Sequence, residues 1–277
     1  MSMNYKNLKK ESKKTIFFTG ANGYLGTKIK TRLVQAGHTV IVWEEDLTQE
    51  ISWDFNNKTP VIDLIIHFGR PDNNLSEIQN AAPNSMEISY YQAWDKVNAN
   101  INKFAKKAKC PIIHASTEAI ELSIPDIKTI ISTTVIKKKD IFNIQKFNLE
   151  RNLNALPNSV INLRIPLVLD ESIMDFKPNS WYAKIRKSQD NELDLTEDLD
   201  FYTSNKNDRL NGRIPTIPIL SLDRFSTITL AKIYEVLKED NDINNLKKKL
   251  NKEIFRYDSI NLEFSDVVKK IKAGFWS

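Results

Sequence analysis

A chain of 277 residues can hold one large α/β domain, or a nucleotide-binding domain with a smaller lobe, and it excludes a fibre or a minimal disulfide scaffold. An apolar share of 41%, with 27% charged residues and only 7 glycines and 10 prolines, describes a folding chain rather than a low-complexity one. The net charge of +5 comes from lysines scattered among asparagines and acids, so no nucleic-acid partner is expected. The single Cys110 leaves no intrachain disulfide and no cysteine-based metal site, which fits a reducing compartment. No apolar run approaches the roughly 20 residues of a membrane span, and the polar start from Met1 to Lys14 lacks the apolar core of a secretory signal. A cytoplasmic address, with no membrane and no metal, is the expectation.

Residues 1–14 read as a frayed arm, with folding beginning at Thr15. The β-branched and aromatic run Thr15 to Thr19 predicts a first strand, followed at once by Gly20-Ala21-Asn22-Gly23-Tyr24-Leu25-Gly26 and a helical pattern through Leu25, Ile29, Leu33 and Val34. Gly37-His38 ends that helix, and Thr39 to Trp43 predicts a second buried strand. A third strand is expected over Val61 to Phe68, a helix from about Tyr90 to Lys109, a fourth strand over Pro111 to Ser116, a helix over 134–156, and a strand over Ser159 to Leu169. This alternation predicts an α/β fold, a doubly wound parallel sheet with both faces covered. From about Asp170 the character changes, with Pro178, an acidic stretch over 190–200 and a polar stretch over 204–212. The expected division is a dinucleotide-binding domain over 15–169, a returning strand and helix over about 217–237, and a small C-terminal substrate lobe over the rest of 170–277.

The turn Gly20-x-x-Gly23-x-x-Gly26 has a mechanism. The first glycine turns the chain out of the strand, the second lets backbone approach a pyrophosphate, and the third lets helix and strand pack closely. The N–H groups that open the helix then face the phosphates, as in a Rossmann-like fold. Glu44, directly after Trp43, would accept hydrogen bonds from the adenosine ribose hydroxyls and repel a 2′-phosphate, so NAD is expected over NADP. Lys28 or a later arginine remains an alternative that would hold a 2′-phosphate, and the acids from Glu44 to Asp46 also read as a solvated loop.

Thr19-Gly20-Ala21-Asn22-Gly23-Tyr24-Leu25-Gly26 resembles the TGxxGxxG opening of the extended short-chain dehydrogenases/reductases, the NAD-dependent sugar epimerase/dehydratase group. The resemblance continues in order to about residue 237. Asp54 falls where that family has an aspartate near the adenine. The segment Asp63-Leu64-Ile65-Ile66-His67-Phe68-Gly69 resembles DxVIHxA, Asn98 the asparagine of NVxGT, and Ser116-Thr117 the strand-end Ser-Ser/Thr. Arg164-Ile165-Pro166 resembles the family's Arg-x-Pro, and Leu222-Asp223-Arg224-Phe225 its VDDVA helix start. The resemblance implies a cofactor site of Gly20, Asn22, Gly23, Tyr24, Leu25, Gly26, Glu44, Asp54, Phe68, Gly69, Asn98, Lys146 and Pro166. It also implies an activated-sugar or sugar-nucleotide substrate, for instance in surface polysaccharide synthesis; a homodimer is allowed.

The catalytic YxxxK of that family is altered. The segment from Phe142 to Glu150 is similar to YxxSKxxxE with phenylalanine in the tyrosine slot, while Lys146 and Thr117 remain as candidate catalytic residues. Three readings follow. A neighbour of suitable type, Tyr90, Tyr91, Tyr182, Tyr202 or His114, supplies the proton; or the register differs; or the protein binds dinucleotide without chemistry, as a sensor or the partner of an active relative. The Tyr234 and Lys238 pair falls on the wrong element. Leu167 and Asp170 stand where the family has asparagine and glycine, which weakens the sugar-diphosphate assignment, although Lys184, Arg186 and Lys187 beside Trp181-Tyr182 would suit a diphosphate. His38 reads as structural. His67 and His114 end strands expected to be neighbours, where packing is favoured over catalysis, and Trp43 and Trp53 flank the adenine pocket or fill core.

Overall fold

A computed structural model of the chain describes residues 13–55, 60–71, 83–120, 138–170, 173, 185–186, 216–239 and 252–273. Strand β1 (Thr15–Thr19), helix α1 (Tyr24–Gln35) and β2 (Thr39–Trp43) form the first strand–helix–strand unit, and β1 and β2 pair in parallel from Thr15 opposite Thr39 to Thr19 opposite Trp43. Then come β3 (Leu64–His67), α2 (Pro83–Ala108), β4 (Ile112–Thr117), α3 (Lys138–Asn154), β5 (Val160–Ile165), β6 (Leu167–Leu169), β7 (Thr216–Ser221), α4 (Leu222–Glu239), β8 (Lys252–Arg256), β9 (Ile260–Glu263) and α5 (Phe264–Ala273). Six strands make one parallel sheet in the order β2-β1-β3-β4-β5-β8. The order runs one way from β1 to β2 and the other way from β1 to β3, so the switch point lies beyond the C-terminal ends of those strands.

Alternate residues of each strand feed two cores, because side chains in a strand point to opposite faces. Ile16, Phe18, Leu64, Ile66, Ile113 and Leu163 pack with α1 and α4; Phe17, Ile65, Ile112 and Val160 pack with Val97, Ile101 and Phe104 of α2 and Leu149 and Leu153 of α3. Strands β3 and β5 are buried along their whole length, as expected where helices cover both faces. The expected doubly wound parallel α/β architecture is therefore present.

The details differ from the sequence expectation in several places. Lys14 already belongs to the fold, since its carbonyl accepts from Thr39 N at 2.9 Å and its amine meets Asp63 at 3.3 Å. The third strand is shorter than 61–68 because Asp63 turns its carboxylate to Thr15 N, 2.7 Å away, and Val61 is exposed. Helix α2 starts at Pro83 rather than near Tyr90; proline suits a first helical turn, whose N–H groups have no intrahelical acceptor. The single strand expected over 159–169 is broken at Pro166, which has no N–H for a ladder, and β6 leaves for a second sheet. That sheet has the order β6-β7-β9, so β7 pairs there, while α4 packs back against α1. The arm over residues 1–12, the acidic and polar stretches over 190–212, and Tyr182, Tyr202, Lys184 and Lys187 lie outside the described residues.

Candidate functional site

The β1–α1 turn is built by contacts that only glycine permits. Gly20 has φ +77°, and a Cβ there would stand 2.5 Å from Gly69 N and 2.5 Å from Phe68 C, so β1 and the end of β3 approach backbone to backbone. A Cβ on Gly26 would overlap Gly20 O and lie 2.8 Å from Ala21 Cα, which holds the first turn of α1 directly on the strand exit. Gly23 is the N-cap; it has no side-chain cap, no acid stands in the first turn, and the first helical bond runs from Thr27 N to Gly23 O at 2.9 Å. An uncapped helix start with its positive dipole end facing the switch point is suited to an anion.

Around this turn the predicted residues fall on successive strand ends. Glu44 is exposed one residue after β2 and accepts from Asn22 Nδ2 at 3.1 Å, while Lys30 Nζ donates to Asn22 Oδ1 at 2.5 Å. Lys28 is committed elsewhere, to Asp223 at the start of α4, 2.9 Å away. Phe68 and Gly69 follow β3; Thr117 ends β4, its Oγ1 accepting from Ala119 N at 3.2 Å; Pro166 follows β5. Tyr24 OH donates to Asp170 Oδ1 at 3.3 Å, so the aspartate that stands in place of the resembling family's glycine reaches the opening turn. Leu25, behind that turn, packs against the α1-side core. Asp54 is exposed beyond β2, and its neighbour Trp53, like Trp43, packs against Phe17, with ring centroids 5.8 and 6.0 Å away. Both tryptophans therefore serve the α2-side core.

A second group gathers beneath Thr117. Lys146 of α3 is 4% exposed and donates from Nζ to Ala115 O at 2.6 Å. Its Nζ lies 5.2 Å from the Trp94 ring centroid and 5.8 Å from that of Phe142, and these two rings meet edge-on at 5.6 Å. Desolvation, helped by the charge of Arg70 and opposed by Glu150, brings the Lys146 amine down to about 7. Asn98 of α2 donates through Nδ2 to Gln145 O and Oε1, at 3.0 and 2.8 Å, which locks α2 to α3 beside Lys146. Below them, Glu150 takes both Nε and Nη2 of Arg164 at 2.8 Å, a buried bidentate pair that anchors the lower half of α3 to β5.

The two strand-end histidines are neighbours, as expected from sequence. His67 and His114 are in register on β3 and β4, fully buried, and stacked with centroids 5.3 Å apart. His67 Nδ1 shares a 2.6 Å hydrogen bond with Thr19 Oγ1, whereas His67 Nε2, both His114 nitrogens and Ser116 Oγ have no partner among the described residues. Burial first, then the charge of Lys146, holds both imidazoles well below their ordinary value, so both are neutral near pH 7. Of the candidate proton donors, Tyr90 is buried against Trp94, and burial followed by the charge of Asp95 raises the Tyr91 hydroxyl. His38 Nδ1 accepts from Lys14 N at 3.3 Å, a structural bond, and the Tyr234 ring lies tilted against His38, with centroids 5.7 Å apart. Arg186 donates to Lys272 O at 2.9 Å. Trp94 is the member of the site that sequence reasoning missed. It lies 52 positions from Lys146 on another helix, and no local signal links them.

A glycine turn at the switch point of a six-stranded parallel sheet, with a buried lysine on the neighbouring helix face, defines a Rossmann-like fold. No family model and no curated protein matches the chain by sequence. Solved structures share the fold. A UDP-galactose 4-epimerase superposes with TM-score 0.58 at 13% identity, over 94% of this chain and 82% of that one. The Bordetella bronchiseptica enzyme WbmG in complex with NAD gives 0.58 at 14%, over 98% and 81%. The UDP-N-acetylglucosamine 4-epimerase from Bacillus cereus gives 0.55 at 14%, over 94% and 81%. Among the described residues no helix is long and apolar enough to cross a membrane, and no cluster of three or more His, Cys, Asp or Glu residues would hold a metal ion.

Proposed function

We propose that the chain binds NAD in the crevice beyond β1 and β3 and acts as an NAD-dependent epimerase, dehydratase or reductase on a nucleotide-linked or otherwise activated sugar. The observation that carries this reading is the backbone contact of Gly20 with Phe68 and Gly69 beneath an uncapped α1. That cradle fits a pyrophosphate, because added side chains at Gly20 and Gly26 would meet backbone and because the first-turn N–H groups have neither a side-chain cap nor an acid to compete for them. Fold neighbours whose structures contain NAD, or NAD with UDP, support the same ligand classes.

Gly20, Asn22, Gly23, Tyr24, Leu25 and Gly26 would surround the phosphates, with Phe68 and Gly69 opposite. Glu44, held by Asn22, would accept from the adenosine ribose and favour NAD over NADP. Asp54 would stand toward the adenine, and Asn98, Lys146 and Pro166 toward the nicotinamide half. When bound, NAD supplies a hydride acceptor. Thr117 would hold the substrate oxygen at the end of β4, and Lys146 would lie beneath it, kept dry by Trp94 and Phe142. Residues 170–277, apart from the segments that pack on the large sheet, would form the substrate lobe of a cytoplasmic enzyme. The test is NAD reduction, followed by absorbance, with a panel of sugar nucleotides. Reduction with at least one is expected; measurable NAD affinity without reduction by any of them overturns the enzymatic part.

A further inference from the structure

The proton inventory beneath Thr117 is unusual. Phe142 has no exchangeable proton, yet its ring lies against Lys146 Nζ. An ammonium carries three N–H donors, but among the described groups only Ala115 O accepts from this one. The nearest acid on the same helix, Glu150, has its oxygens engaged by Arg164. The other groups facing the site are basic or already bonded. His67 and Arg70 come from β3 and the segment after it, and His114 from β4; from α2, Asp95 accepts from Gln145 Nε2 at 2.7 Å. Lys146, His67 and His114 are thus three buried basic groups; Glu150, whose charge favours the Lys146 ammonium, is already paired with Arg164, and a charge on Lys146 disfavours a charge on either imidazole. Burial disfavours more than one positive charge in such a cluster, and Lys146 in its neutral form presents an amine lone pair.

We propose that Lys146 Nζ is itself the proton acceptor for the substrate hydroxyl, so that the chain needs no tyrosine at position 142. This rests on the function proposed above. The substrate C–H and O–H bonds break; the hydride leaves for the nicotinamide of the oxidised dinucleotide, the proton passes to the Nζ lone pair, and the carbonyl forms. Carbon is oxidised, the dinucleotide is reduced, and Lys146 becomes an ammonium that returns the proton when the carbonyl is reduced again. Trp94 and Phe142 then have a defined role, since their rings cushion the ammonium after transfer without supplying an acid that would trap it.

The whole chain, with lysine labelled at the ε-carbon, should be titrated by NMR without ligand. Lys146→Arg and Lys146→Met identify its resonance by their missing signal. Lys146 should titrate near neutrality, well apart from the exposed lysines, and the acid limb of NAD reduction should share that midpoint. Lys146→Arg keeps a positive charge but does not give up its proton, so it should bind NAD and lose about 10²–10⁴-fold in reduction rate. A Lys146 signal that titrates with the bulk lysines overturns the proposal whatever the activity. So does a folded Lys146→Arg with reduction undiminished. If NAD does not bind at all, the function proposed above fails and the proton-transfer role fails with it, whereas NAD binding with a high-pH Lys146 titration sinks the role alone.

Discussion

Replacing Lys146 by methionine should make the protein more stable at neutral pH. Methionine has nearly the same length, fills the space between Trp94 and Phe142, and carries no charge to desolvate. The amine ordinarily loses its proton near 10.5 but does so near 7 in the folded chain. At about 1.4 kcal/mol for each tenfold change in proton affinity, that gap corresponds to an upper bound of about 5 kcal/mol. The direction follows from proton counts. Below pH 7 both folded and unfolded chains carry the proton, and the burial cost is felt in full. Between 7 and 10.5 the unfolded chain binds more protons, so wild-type stability rises with pH; above 10.5 neither chain is charged and the cost vanishes. Methionine also gives up the bond to Ala115 O, worth about 1 kcal/mol, so the expected net gain at pH 7 is at most about 4 kcal/mol, falling with pH to a net loss of about 1 kcal/mol above pH 10.5. Urea unfolding of both proteins between pH 7 and 10.5 measures this directly, since titrating groups not coupled to Lys146 cancel in the difference and His67 and His114 are neutral over this range. A difference that does not change with pH, or a Lys146→Met protein less stable at pH 7, refutes the reasoning.

Other perturbations report on separate parts of the structure. Gly26→Ala places a Cβ against Gly20 O and should cost about 3 kcal/mol in thermal or urea unfolding; a neutral result would mean that α1 does not sit on the strand exit. Glu150→Gln leaves the Arg164 guanidinium buried opposite a neutral amide and should cost about 3–5 kcal/mol, seen as a lower urea midpoint with an unchanged slope. Glu44→Ala should weaken NAD binding by about 1–2 kcal/mol in calorimetry, and unchanged affinity would remove Glu44 from the ribose site.

What was legible in the sequence is what depends on short-range pattern. The strand runs Thr15 to Thr19 and Ile112 to Ser116 declare themselves by β-branched residues, and the glycine turn by its spacing between strand and helix. The stacked histidines were partly legible, because strand order alone makes His67 and His114 neighbours. The sixth strand was not. Lys252-Glu253-Ile254-Phe255-Arg256 falls within the expected substrate lobe with no strand assigned, and its place beside β5 comes from backbone pairing at a sheet edge rather than from an apolar run. Nor could the break at Pro166 be placed, since an apolar run on both sides of it looks continuous. The aromatic cage around Lys146 needs α2 and α3 docked through Asn98 and Gln145, a contact between positions 47 apart. Local periodicity identifies each helix but not which of its residues meet.

The most direct measurement is a calorimetric titration of the folded chain with NAD, alongside a thermal melt at saturating ligand. A dinucleotide held by the amides at the head of α1 predicts saturable binding at one site per chain, with a melting temperature that climbs with NAD concentration. A folded protein that gives neither heat nor thermal protection with NAD or with NADP would contradict the account at its base.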